Sequence, residues 1–377
     1  MVEKKVRLYI GTRKGGYVAE SDLKRKKWSV KGPFQAGKDV FHVSPDPRHP
    51  GQVYAAVNSP WVGPMLLRST DHGRSWKEIP PPMMTVSKKR PPLNFDQGPP
   101  KHAIVNLWHV EPGPVSEPDT LFVGVDPASL FRSDDRGQSW SPVAGLNEHE
   151  TRPKWNPGAG GLCLHTILLD PTRPKRMYVG ISAAGTFRSD DAGDHWRPVN
   201  RGVKVSFMPE KFPEFGQCVH KVALDPSDPS IAYRQDHDGI YVSHDAMESW
   251  KHIGKPLPED FGFVTAVSPA KPGQAYFVPL LPMERTAPKG RLQVYRWTER
   301  TKQWAPTIPA KGGWTGDLGT HREGLAIDGL DPHGIYLGTT TGQLIYSPDG
   351  DRHWSEIPYH FPGIHSVEVS TPNGSGR

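Results

Sequence analysis

The stretch Ser69-Thr70-Asp71-His72-Gly73-Arg74-Ser75-Trp76 decides the fold, because it recurs. It returns as Ser133-Asp134-Asp135-Arg136-Gly137-Gln138-Ser139-Trp140 and as Ser189-Asp190-Asp191-Ala192-Gly193-Asp194-His195-Trp196. Two further copies lose the glycine: Ser243 to Trp250 has Met247 there, and Ser347 to Trp354 has Asp351. Around Trp28 and Trp304 only the tryptophan and its flanking strands remain. Each residue of the turn has a task. The aspartate accepts backbone N–H bonds inside a hairpin, the glycine supplies a positive φ, and the tryptophan wedges between sheets.

Working outward, the tryptophan falls at 28, 76, 140, 196, 250, 304 and 354. Spacings of about 50 residues suit one four-stranded propeller blade. A second strand is legible in each unit, for example Leu8-Tyr9-Ile10-Gly11, Leu121-Phe122-Val123-Gly124 and Met177-Tyr178-Val179-Gly180. The first unit has no strand before it, whereas the last is followed by a spare one, Gly363-Ile364-His365-Ser366-Val367-Glu368-Val369. Pairing that strand with the N-terminal unit closes a ring without edges. The expectation is an all-β, seven-bladed β-propeller over 1–371, closed three-plus-one by the C-terminal strand, with a frayed tail over 372–377.

Composition agrees. Hydrophobic residues are 35% of the 377, with 39 Gly and 41 Pro, a turn-rich mixture in which 12 Trp and 11 Tyr favour pleated strands. No apolar run approaches the length of a membrane span, and the start of the chain lacks the apolar region of a secretory signal. A cytoplasmic protein without membrane or nucleic-acid partners is expected. The basic runs Lys24-Arg25-Lys26-Lys27 and Lys88-Lys89-Arg90 lack the interleaved aromatics that stack bases. Two cysteines do not make a disulfide framework.

The repeated turn resembles the Asp-box (BNR) repeats of sialidases, sortilin-like receptors and photosystem assembly factors, over essentially the whole chain. The resemblance implies that the boxes are structural and lie away from the ligand face. It does not extend to sialidase catalysis. There is no Arg-Ile-Pro near the start, and the expected inner strands carry histidine where an arginine triad would stand. A paired-carboxylate glycosidase is also disfavoured, since those strands offer only Glu323 clearly, with Glu111 beside it.

Aligned on the second-strand aromatic, the inner strands show a histidine column. His109, His165 and His220 lie thirteen residues before Phe122, Tyr178 and Tyr233. His365 comes from the closing strand, and His42 sits one residue out of register; the same offset gives Glu323 and Phe263. Converging imidazoles suit a transition metal, Fe, Zn, Cu or Mn. Alternation places Cys163 and Cys218 on the face of His165 and His220. The expectation is therefore a metal-dependent oxygenase, lyase or hydrolase acting on a small organic substrate. His109, His165, His220, His365 and His42 are the candidate ligands. Glu323 is a ligand, an acceptor for an imidazole N–H, or a general base. Long loops at the same mouth offer substrate contacts: His102, Trp108, Trp155, Arg234, His237, Trp314, His321 and Arg322. The alternative is a non-catalytic binding or assembly scaffold.

Overall fold

The computed structural model describes residues 4–59, 61–84, 104–372 and 374–375. The repeated unit is a four-stranded antiparallel sheet, and seven such sheets form the ring. In the first blade Val6–Thr12, Gly15–Ser21 and Ser29–Phe34 are joined by Ile364–Thr371 as the innermost strand. The innermost strands of blades two to seven are Asp39–Pro45, Asn106–Pro112, Cys163–Leu169, Val219–Leu224, Gly262–Val267 and Leu325–Ile327. The three-plus-one closure is as expected: Arg7 pairs with Ser370, Ile10 with Val367 and Gly11 with Ser366. At the chain end, where fraying was expected, Gly374–Ser375 pairs back on Thr371 and Ser370. Among the described residues no helix is long and apolar enough to cross a membrane.

The acidic turn works as its chemistry demands. Asp135 Oδ1 accepts from the backbone N–H of Gln138 and Ser139, each at 2.9 Å, and Ser133 Oγ accepts from Gly137 N–H at 2.8 Å. The Ser139 hydroxyl, which donates to Asp135 Oδ2, and then the backbone N–H bonds hold the Asp135 carboxyl down to about 2; Ser75 acts in the same way on Asp71, and the backbone and side chain of His195 on Asp191. The tryptophans then tie blade to blade. Trp140, Trp250, Trp304 and Trp354 donate Nε1–H to the carbonyls of Pro80, Val199, Ile253 and Thr307 in the preceding blade. Trp28 meets Tyr336 and Tyr346 edge-on across the seam between the last blade and the first.

Buried arginines add a second set of ties. Arg25, in the basic run of the first hairpin, is buried; its Nη1 donates to both carboxylate oxygens of Asp328 in the last blade at 3.1 and 2.9 Å, and its Nη2 to the Pro332 carbonyl at 2.9 Å. Arg234 is fully buried, pairs with Asp236 on its own strand at 2.5 Å, and reaches back to Asn200 Oδ1 at 2.7 Å.

The innermost strands share an irregularity that alternation could not foresee. Each of six carries a β-bulge against its second strand: at Phe41, Trp108, His165, His220, Phe263–Val264 and His365. A bulge puts an extra residue on one strand and re-aims its side chain.

Candidate functional site at the channel mouth

The bulged residues, three of them from the histidine column, form the collar of the channel. Phe41, Trp108, His165, His220, Phe263 and His365 all line one cavity of about 720 Å³ at the mouth, within the size range of small-molecule sites. They lean on one another around the ring. His365 stacks on Phe41 at 4.8 Å between ring centroids, Phe41 meets Trp108 edge-on at 4.8 Å, and His220 stacks on Phe263 at 4.6 Å. Loops complete the wall with the turn 157–160, Phe207, His237, Glu284, Arg285, His321 and Arg322.

The expected five-histidine ring is not assembled. His42 and His109 lie one residue beyond their bulges, so they face the barrel interior below the collar, stacked on each other at 4.2 Å. The imidazoles spend their nitrogens on neighbouring blades. Val110 N–H donates to His42 Nδ1 at 3.2 Å, which leaves Nε2–H for Glu368 at 3.3 Å. His165 Nε2–H donates to the Val219 carbonyl at 3.0 Å and its Nδ1 faces Thr166 Oγ1 at 3.0 Å. His220 Nδ1–H donates to the Gly262 carbonyl at 2.6 Å. The Val219 and Gly262 carbonyls sit beside the next strand's bulge, where ladder bonds are lost and a buried backbone group needs another partner. His365 Nε2 meets Asp39 at 3.2 Å.

Beneath the collar, Glu323 lies between cations. It pairs with Lys221 through Oε2, and its Oε1 stands 3.5 Å from His109 Nδ1, while His109 Nε2 meets Glu111 at 3.0 Å. Lys221 and His109 keep the Glu323 carboxyl well below its ordinary range against the opposing pull of burial. Burial would lower the His109 pKa, but the two carboxylates raise it. His42, His109 and Glu323 offer ligand atoms within 4.8 Å of one another, as do Cys218, His220 and His237 on the cavity wall. Cys218 Sγ faces His220 Nε2 at 3.6 Å. Cys163 is fully buried, off the cavity lining, and burial pushes its thiol up to about 11.

The loop residues divide. Trp108, His237, His321 and Arg322 line the cavity as expected. Arg234 does not: it is sealed in the ion pair already described. Trp155 is buried against Phe187 with its Nε1–H on Thr151, and Trp314 packs between blades six and seven, donating to Glu356 at 2.7 Å. Their aromatic size suited packing, and packing claimed them. His102 lies outside the described residues. Sequence reading missed Phe41, Phe261, Phe207 and Arg285 as wall residues, although Phe41 stands at the same offset from Tyr54 as Phe263 does from Tyr276.

Stability should fall as the pH drops from 7 to 5. His42, His165, His220 and His321 are held below the ordinary histidine value, in each case chiefly by burial. Below about pH 6.5 the unfolded chain takes up protons that these folded imidazoles refuse, so unfolding becomes easier. His109, raised, acts oppositely: its contribution is complete below that value and fades as the pH rises through its folded pKa. Urea midpoints at pH 7 and pH 5 measure the balance. A lower midpoint at pH 5, with a smaller drop in His165→Gln, is expected; equal midpoints in both proteins would refute it.

No known family profile matches the chain. It is 23% identical over 404 residues to the oligoxyloglucan-reducing end-specific xyloglucanase of Emericella nidulans, an alignment covering 98% of this chain and 40% of that protein. The chain thus spans less than half the length of this curated relative. Among solved structures, the GH74 xyloglucanase of Xanthomonas campestris superposes with a TM-score of 0.65 at 20% identity, over 93% of this chain and 51% of that one. YCF48 from Cyanidioschyzon merolae superposes with a TM-score of 0.54 at 11% identity, over 90% and 97% of the two chains. These likenesses agree with the propeller fold. The two xyloglucanase likenesses overturn the expected metal-dependent oxygenase, lyase or hydrolase, because those homologues are glycoside hydrolases. Nor is the non-catalytic scaffold the better reading.

Proposed function

We propose that this chain acts on carbohydrate, as a glycoside hydrolase whose oligosaccharide enters the mouth of the channel. The observation that carries the reading is the match to a xyloglucanase along 98% of the chain. The cavity is consistent with it. Its wall of Phe41, Trp108, Phe261 and Phe263 offers apolar ring faces against which the C–H faces of pyranose rings pack.

Glycoside hydrolysis uses two carboxyl groups around an oxocarbenium-like transition state. Two line this cavity, Glu323 and Glu284. Glu323, kept ionised by its neighbours, is assigned to stabilise positive charge developing at the anomeric carbon. Glu284, on the exposed rim of the same cavity, is assigned as proton donor to the leaving oxygen.

The test is release of reducing ends from xyloglucan oligosaccharides and from a panel of other oligosaccharides. Glu323→Gln and Glu284→Gln should each lose about 10²–10⁴-fold in rate, the usual scale for one acid–base group. Absence of any release by the wild type from every oligosaccharide tried would overturn the hydrolase reading.

A further inference from the structure

The cavity holds more positive charge than its own carboxylates answer. Arg13, Arg285 and Arg322 line it, against Glu323 and Glu284, and Glu323 is already paired with Lys221. Among the described residues none of the three arginines has a carboxylate partner, whereas Arg25 and Arg234 elsewhere in the ring are both tied to aspartates. Arg322 occupies the central position. Its guanidinium lies 5.8 Å from the Trp108 ring centre on blade three and 5.5 Å from that of Phe263 on blade six, so two aromatic faces orient it across the mouth. Arg285 lies over the same Phe263 ring at 5.7 Å. Among the described residues the buried Nε of Arg322 and Nε2 of the adjacent His321 have no hydrogen-bond partner.

The surroundings register this charge. After burial, Arg322 is the largest influence holding His165 and His220 neutral. His321 is driven down to about 3 by burial and then by His365, Arg13, Arg322 and Arg285. An arginine fork held by ring faces, with unused donors in a partly dry site, is the arrangement that takes a carboxylate in two parallel hydrogen bonds. Cation–π contacts orient the group but leave its in-plane N–H donors free.

We infer that the mouth recognises a carboxylate-bearing sugar, an acidic oligosaccharide with a uronate residue, whose carboxylate seats on Arg322 with Arg285 and Arg13 around it. The inference rests on the carbohydrate reading above and sharpens it. A cation beside the reacting centre opposes the positive charge of glycoside cleavage; a substrate carboxylate placed on that cation removes the opposition.

Calorimetry with glucuronate- and galacturonate-containing trisaccharides, against the same trisaccharides carboxyl-reduced to neutral sugars, tests it. The acidic ligands should bind at least about 10-fold tighter, a difference worth about 1.4 kcal/mol, and the preference should shrink as salt rises. Arg322→Met should erase the preference, and Arg322→Lys should keep part of it, with melting temperatures confirming that both variants fold. Equal binding of acidic and neutral ligands, or an undiminished preference in Arg322→Met, would overturn the inference. Reducing-end release measured on the same ligands separates the two ideas. Selective binding without cleavage sinks the hydrolase reading alone, and cleavage of neutral sugars without acidic preference sinks this one alone.

Discussion

A chain ended at Pro362 is expected not to fold cooperatively. The truncation removes Ile364–Thr371, the innermost strand of the first blade. Ile364, Val367 and Val369 on that strand are fully buried or nearly so. Burying such side chains is worth roughly 1.5–3 kcal/mol each, so the three supply about 5–9 kcal/mol. That is comparable with the whole stability of an ordinary domain, about 5–15 kcal/mol. The loss also strips the ladder from Val6–Thr12, leaving a long apolar edge open to other chains. Circular dichroism melts and gel filtration read the outcome: a broad or absent transition and aggregation are expected. A peptide spanning 363–377 added in trans should restore a sharp melt. A truncated chain that melts as sharply as the full one would show that closure is not what stabilises the ring.

Arg234→Met should cost about 3–5 kcal/mol, the range seen when one partner of a buried ion pair is removed. Both Arg234 and Asp236 are essentially inaccessible, and burial alone pushes the Asp236 carboxyl up, with Arg234 pulling it back down. Without the guanidinium, Asp236 is left charged in a dry place or must take up a proton. The Asn200 and Thr186 oxygens that Arg234 satisfies lose a donor as well. The companion Arg234→Met/Asp236→Leu removes both charges and should regain most of the loss, because well-packed apolar replacements of a buried pair are often neutral. Urea unfolding measures both. A single variant within about 1 kcal/mol of wild type would mean that water reaches the pair.

The fold was readable because its signal is local chemistry repeated. Ser133, Asp135 and Gly137 are each required by a bond or a backbone angle inside the eight-residue turn, Trp140 by its bond to Pro80 in the preceding blade, and the turn recurs around the ring. The site was not, because its residues are set by an event that leaves no mark in composition. Alignment on the second-strand aromatic placed His109 with His165 and His220; the bulge at Trp108 moved His109 below the collar, beside His42, whose one-residue offset was the correct hint. A shift of one residue turns a side chain to the other face, and that sufficed to replace an expected ring of imidazoles by a collar of mixed aromatics. The loop candidates failed where a side chain had an alternative use: Trp155 and Trp314 found hydrophobic contacts, and Arg234 found a carboxylate on its own strand. Arg322, with no such partner among the described residues, stayed in the mouth.

Because strands alternate in direction, the aspartate turns between third and fourth strands lie at the end of the ring opposite the mouth. The segments 157–160, 206–207 and 284–286 therefore sit far from every box and from the tryptophans that join the blades. Lineages carrying such a ring can exchange what they recognise while the frame stays under its own selection. A library randomised over those few loop positions would sample new ligands without drawing on the bonds that keep the blades together.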